Sequence, residues 1–219
     1  MYQAVLFDLD GTLLDTEPDF TLLVNCMLEA RNLAPVEADV IRKVVSAGAR
    51  AMVGAGFNMH REDPGLDALV DEFLELYLQL IPATNASLFE DVDLLIANLN
   101  EAEVPWGIMT NKARRFTEPL LLRFETFSTR ATLVCRDDVA AGKPDPAGIL
   151  RGCNELGIDP SACAYVGDHP RDMEAAGKAG TPAIAVRWGY LSADEIIAQW
   201  PADFIADTPA SLTAHLLKK

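Results

Sequence analysis

The chain has 219 residues, half of them hydrophobic, and a formal net charge of −15. That length supports one core with room for a smaller second unit. The acidity excludes the basic footprint of a nucleic-acid binder and argues against an anionic membrane surface. An anionic substrate would need local positive charge to overcome this field. No apolar run approaches the length of a membrane span. Cys26, Cys135, Cys153 and Cys163 have no C-x-x-C spacing and no Cys-His cluster, so they read as buried free thiols. With a core strand already starting at residue 4 no leader is expected, and the chain reads as cytoplasmic.

The first element is the apolar run Ala4-Val5-Leu6-Phe7, which breaks directly into Asp8-Leu9-Asp10-Gly11-Thr12. Side chains two apart in a strand share a face, so Asp8 and Asp10 begin as close like charges. A hard cation such as Mg²⁺ suits such a pair, and an Asp-Gly turn after an edge strand is the plain alternative. The pattern then turns helical. Asp15 or Thr16 can cap, Pro18 fits a first turn, and Phe20, Leu23, Val24, Met27 and Leu28 form a stripe. A second stripe (Val40, Ile41, Val44, Val45) precedes the small-residue break Ser46-Ala47-Gly48-Ala49-Arg50. Another short stretch and a helix opened by Pro64-Gly65 follow, so residues 17–82 read as all-helical.

Beyond Leu88 strands and helices alternate. The spacing predicts helices over Val92–Leu99, Phe116–Phe124, Pro146–Leu156 and Asp172–Ala179. Strands are predicted at 104–109, 131–134, 162–166 and 182–186, with a last short one at Phe204-Ile205. Alternation of this kind implies a parallel sheet covered on both faces, with ligands beyond the carboxyl ends of its strands. Asp8, Thr110 and Asp168 each follow a predicted strand and so meet on one rim. Gly142-Lys143-Pro144-Asp145-Pro146 adds a lysine whose direction the prolines fix, or else a solvated surface lysine. In Gly167-Asp168-His169-Pro170-Arg171-Asp172, Asp172 is either a helix cap or a part of the site.

Taken in order, Asp8-Leu9-Asp10-Gly11-Thr12, Thr110-Asn111, Gly142-Lys143-Pro144 and Gly167-Asp168 with Asp172 resemble the four motifs of the haloacid dehalogenase-type phosphatases. The helical insert resembles the cap of the phosphoglycolate phosphatase-like branch. The resemblance implies an α/β fold, a Rossmann-like parallel core made of residues 1–16 and 83–219 with an inserted helical cap at 17–82. It implies a Mg²⁺-dependent phosphomonoester hydrolase acting through an aspartyl-phosphate. Asp8 would be the nucleophile and Asp10 the general acid and then base. Asp8, the Asp10 main-chain carbonyl and Asp168 would hold Mg²⁺, with Asp172 bracing them. Thr110, Asn111 and Lys143 would bind the phosphoryl group.

Two departures from the pattern are Ala113, where a proline is common, and His169, read as a loop residue or a metal ligand. Sugar-phosphate mutases of the β-phosphoglucomutase type resemble the chain too, but they carry a His shortly after the first motif, where this chain has Glu17-Pro18-Asp19-Phe20. A catalytically dead binding module on the same scaffold is the other alternative. Ser46–Val53 with Trp188-Gly189-Tyr190 resembles bacterial N-acetylmuramic acid 6-phosphate phosphatases. Arg50 is then either a clamp for a substrate carboxylate or an exposed helix-start arginine. Lys112, Arg114 and Arg115 cluster beside Thr110 and read as a solvated basic face or, alternatively, as a local positive field for an anionic substrate. The expected partner is a small phosphorylated metabolite, with no nucleic acid or membrane, and the protein is expected as monomer or homodimer. Hinges are expected near Asp15–Glu17 and Pro82–Ser87.

Overall fold

The computed structural model describes residues 2–191 and 196–218. It divides into two compact units, one reaching to Leu14 and resuming at Leu88, the other Asp15–Ser87.

The first unit is built on a six-stranded parallel sheet. Its opening strand, β1 (Ala4–Phe7), is wholly buried. The chain leaves this unit at β2 (Leu14–Asp15) and returns at β3 (Ser87–Leu88), which pair as a two-stranded ribbon. After the return come α5 (Val92–Glu101), β4 (Trp106–Met109), α6 (Arg114–Leu121) and β5 (Thr132–Val134). The remainder is α7 (Ala147–Leu156), β6 (Cys163–Gly167), α8 (Pro170–Ala179), β7 (Ala183–Val186), β8 (Phe204–Ala206) and α9 (Pro209–Leu216). Helices α1–α4 belong to the other unit. The strand order is β5-β4-β1-β6-β7-β8. β1 therefore lies centrally, with Phe7 opposite Ile108 on one side and Val166 on the other. Runs of four or five buried residues form these strands because helices cover the sheet, leaving no face to alternate with polar residues. Helix α7 packs on β1, β4 and β5, and α8 on β6 and β7.

Two local differences from the sequence reading have plain causes. Helix α6 starts at Arg114 and ends at Leu121, short of Phe124, because Arg123 N and Phe124 N turn to Leu120 O and Leu121 O in tighter i→i−3 bonds. Helix α9 goes unanticipated, although Thr208 caps it by accepting from Ser211 N at 3.1 Å, with Pro209 in the first turn.

The second unit contains α1 (Glu17–Glu29), α2 (Ala38–Arg42), α3 (Ala49–Phe57) and α4 (Leu66–Leu80). The stripe of α1 is its core face: Phe20 packs on Phe73 and Tyr77, with ring centroids 6.0 and 5.1 Å away. Thr16 makes no side-chain cap, and Glu17 N bonds Asp15 Oδ1 at 3.3 Å instead. Asp19 is fully buried, satisfied by the Thr84 hydroxyl and by Asn85 N at 2.6 Å. The break at Ser46–Arg50 is a 3₁₀ turn over Val45–Ala47 leading into α3. Cys26 is exposed, because it lies off the apolar stripe of α1; Cys135, Cys153 and Cys163 are buried, and all four are free.

Candidate active site

Asp8, Thr110 and Asp168 are each the first residue past a buried strand, β1, β4 and β6, and these strands are neighbours. The ladder continues one step into the loops: Asp8 N donates to Val166 O at 2.9 Å and Thr110 N to Val134 O at 3.0 Å. The main chain thus fixes Asp8 and Thr110 before their side chains make any contact. The carboxylates of Asp8, Asp168 and Asp172 each place an oxygen within 4.8 Å of the others. Lys143 Nζ lies 2.7 Å from Asp8 Oδ2 and 2.7 Å from Asp172 Oδ1.

Burial sets the electrostatics of this cluster. Asp8 is pushed up from 3.8 to about 6, first by burial; Lys143 opposes the rise and Asp172 adds to it. Asp168 is driven well above the usual carboxylate range by burial and by the charges of Asp172 and Asp8. Burial would lower Lys143, but Asp172 and Asp8 outweigh it and hold the ammonium above its ordinary value. Two buried carboxylates and the half-buried Asp8 against one ammonium make an oxygen-only donor set with uncompensated negative charge. A hard divalent cation fits that set.

Each member of the cluster is braced. Asp168 Oδ1 accepts from Thr12 Oγ1 at 3.2 Å, and its Oδ2 from Tyr190 N at 2.9 Å. Gly11 allows this packing. It has φ +83°, and a Cβ there would lie 2.2 Å from Asp168 Oδ2. Gly189 does the same from the other side, where a Cβ would lie 2.3 Å from Asp168 Cβ. Trp188 Nε1 donates to Thr12 O at 3.0 Å, fastening the Trp188–Tyr190 segment to the first loop. Asp172 is a cap as well as a site residue: its Oδ2 accepts from His169 N at 3.0 Å in a capping box that opens α8. His169 is the N-cap, with Nδ1 accepting from Arg171 N at 3.2 Å; it is not in the carboxylate cluster.

Lys143 is fixed at both ends. Asn111 clamps its backbone, Nδ2 donating to Lys143 O at 3.1 Å and Oδ1 accepting from Lys143 N at 2.8 Å. Tyr165 supports the ammonium, its hydroxyl accepting from Nζ at 2.9 Å while donating to Met109 O at 2.9 Å. Sequence reasoning missed Tyr165. The signal was a phenol inside an apolar strand, whose O–H must find a partner when buried.

Asp10 sits on the same loop as Asp8, and its carboxylate takes Lys112 Nζ at 2.9 and 3.1 Å. This corrects the reading of a solvated basic face for Lys112 and Arg114, whereas Arg115 is exposed. The Lys112 side chain is only 8% exposed. Arg114 is tied to Asp138 and Glu118, which hold it above the ordinary guanidinium value. Arg50 belongs to the helical unit. Its guanidinium pairs with Asp67 and donates to Arg61 O at 3.2 Å. There it lines a cavity of about 270 Å³ with Gly54, Met59, Arg61 and Leu66.

Comparison with known proteins places this arrangement. The haloacid dehalogenase-like hydrolase family model matches residues 5–186. An N-acetylmuramic acid 6-phosphate phosphatase of Pseudomonas aeruginosa is 43% identical, the match covering 96% of this chain and 92% of that protein. A phosphoglycolate phosphatase of Xanthomonas campestris is 40% identical, over 96% and 94% of the two chains. The crystal structure of a predicted phosphoglycolate phosphatase from Haemophilus somnus superposes with a TM-score of 0.84 at 23% identity, covering 96% of each chain.

Proposed function

The chain belongs to the haloacid dehalogenase-like hydrolase family, and from that premise we propose that it hydrolyses a small, carboxylate-bearing phosphomonoester in two steps through an aspartyl-phosphate on Asp8. The observation that carries the reading is the ion pair between Asp8 and Lys143 at 2.7 Å, at the carboxyl end of the central strand. A carboxylate is a weak nucleophile toward a phosphate dianion because like charges repel. A buried ammonium beside it offsets that repulsion and can hold a phosphoryl oxygen at the same time.

In the first step a carboxylate oxygen of Asp8 attacks phosphorus and the ester oxygen departs with a proton from Asp10. In the second step Asp10 takes a proton from water as it attacks the phosphorus, and Asp8 is released. The Thr110 hydroxyl and the Lys143 ammonium hold the phosphoryl oxygens. Asp8, the Asp10 carbonyl and Asp168, with Asp172 beside them, would hold Mg²⁺, which supplies charge neutralisation for the phosphoryl group when bound. Phosphoryl transfer asks mainly for positioning and charge, so this short roster suffices.

Two relatives bear names of phosphatases for acidic esters, N-acetylmuramic acid 6-phosphate and phosphoglycolate. Both substrates carry a carboxylate, and Arg50 is the residue proposed to read it. The test is kcat/KM on phosphoglycolate, N-acetylmuramic acid 6-phosphate and a neutral sugar phosphate, with Mg²⁺. The acidic esters are expected ahead by about tenfold or more, the ~1.4 kcal/mol of one charge-assisted contact. Asp8→Asn is expected to keep the fold and abolish turnover. Substantial hydrolysis by that variant overturns the covalent route, and isomerised sugar phosphate in place of free phosphate overturns the hydrolase.

A further inference from the structure

Asp8 and Asp10 leave β1 two residues apart, yet each has a lysine of its own. Lys143 serves Asp8 and Asp172. Lys112 serves Asp10, with both carboxylate oxygens in reach of one ammonium at 2.9 and 3.1 Å. The second contact is built as carefully as the first. Lys112 N donates to Thr110 Oγ1 at 3.1 Å, and Lys112 O accepts from Arg136 N at 3.1 Å. The lysine backbone is thus pinned beside the hydroxyl proposed to bind the phosphoryl group.

An ammonium has three donors and no acceptor. Donating to both oxygens, it suits Asp10 as a proton acceptor better than as a proton donor, because a carboxyl proton would share an oxygen with the ammonium. The half-reaction that needs an ionised Asp10 is the second. There water oxygen bonds to phosphorus, the bond from phosphorus to the Asp8 oxygen breaks with its electron pair returning to Asp8, and the water proton goes to Asp10. Inorganic phosphate and free Asp8 result. In the first half-reaction Asp10 carries a proton, and the oxygen that bears it is the poorer acceptor for the ammonium.

We infer that Lys112 is a positioning residue for the second half-reaction, holding the Asp10 carboxylate aimed at the attacking water. The inference rests on the two-step reading above. It makes no use of the substrate's identity.

Pre-steady-state hydrolysis of p-nitrophenyl phosphate and of an alkyl phosphate, with Mg²⁺, tests it. Lys112→Met is expected to give a burst of nitrophenol close to one equivalent per enzyme. Steady turnover should then be slower by about 10–100-fold, the scale of a misplaced general base. The steady rate should be the same for both esters, and phosphoenzyme should accumulate in acid-quenched samples. Lys112→Arg keeps the charge but changes its reach, so a weaker form of the same behaviour is expected; it also carries the test if the methionine variant fails to fold. A loss confined to the alkyl ester would place Lys112 in leaving-group departure and overturn the inference. Unchanged turnover overturns it too. Absence of phosphoenzyme in the wild type under rapid quench, together with an active Asp8→Asn, would instead bring down the two-step reading itself.

Discussion

Charge is handled in opposite ways at the rim of the sheet and around Arg50 of the helical unit. At the carboxyl rim of the sheet, ammonium and carboxylate groups are largely withdrawn from water and held by one another and by neighbouring hydroxyl and N–H groups. Lys143 is 1% exposed and touches two carboxylates and a phenol. In the helical unit, pairs stand in solvent: the Arg50 side chain is 39% exposed and its partner Asp67 is 82% exposed. A buried pair is rigid and costly to break, whereas an exposed one contributes little and is free to exchange partners. The rim is therefore suited to fixed chemistry and the helical unit to adaptable recognition.

The sharpest way to break that contrast is Lys143→Met. Removing the ammonium leaves Asp8 and Asp172 facing each other without compensation. A loss of turnover beyond about 1000-fold is expected, with a stability loss of about 3–5 kcal/mol by denaturant unfolding. Mere loss of activity at unchanged stability would mean that the pair is not buried in solution.

Next in size is the response to Mg²⁺ and pH. Because Asp8 is raised to about 6 in the folded chain, against 3.8 ordinarily, the native state holds a proton that the unfolded chain releases. Without metal, stability contributed by that proton is present below 3.8 and is lost as pH rises through about 6. Asp168, displaced in the same direction, adds to the loss. Mg²⁺ at about 100 times its Kd is expected to add roughly 2–3 kcal/mol at neutral pH and much less near pH 5, read as Tm against pH with and without chelator. An equal gain at both pH values would put the ion elsewhere.

Gly11→Ala probes the close packing around Asp168. A Cβ 2.2 Å from Asp168 Oδ2 at φ +83° must displace the carboxylate. We expect about 1–3 kcal/mol of destabilisation by thermal unfolding and weakened metal dependence of turnover. The smallest effect belongs to Arg50→Ala, which should move stability by less than about 1 kcal/mol, since its ion pair is exposed. Its signature is selective: kcat/KM should fall for the carboxylate-bearing esters and hold for a neutral sugar phosphate. A uniform fall would remove Arg50 as the reader of the carboxylate.

The alternation of strand and helix, and the polar residues ending each strand, were legible because both are written locally. An apolar run of four and the residue after it suffice to put Asp8, Thr110 and Asp168 on one rim. What was not legible depends on partners far along the chain. Asp10 and Lys112 are 102 positions apart, and without the fold Lys112 looks like the start of a basic face. Tyr165 reads as one more apolar strand residue until its hydroxyl is seen between Met109 O and Lys143. Asn111 reads as a ligand-binding residue because it follows Thr110, and the sequence gives no sign that its Oδ1 and one amide N–H grip the Lys143 backbone.

That last arrangement makes Asn111 a side chain doing the work of a neighbouring strand. It offers the Lys143 peptide one donor and one acceptor, as a sheet partner would. Hydrolysis of this one amide to a carboxylate, the ordinary chemical ageing of asparagine, would set oxygen against the Lys143 carbonyl oxygen and unlatch the loop. The lysine at the centre of the site thus depends on a covalent group that time alone can alter, with no change to Thr110 or to Lys143 itself.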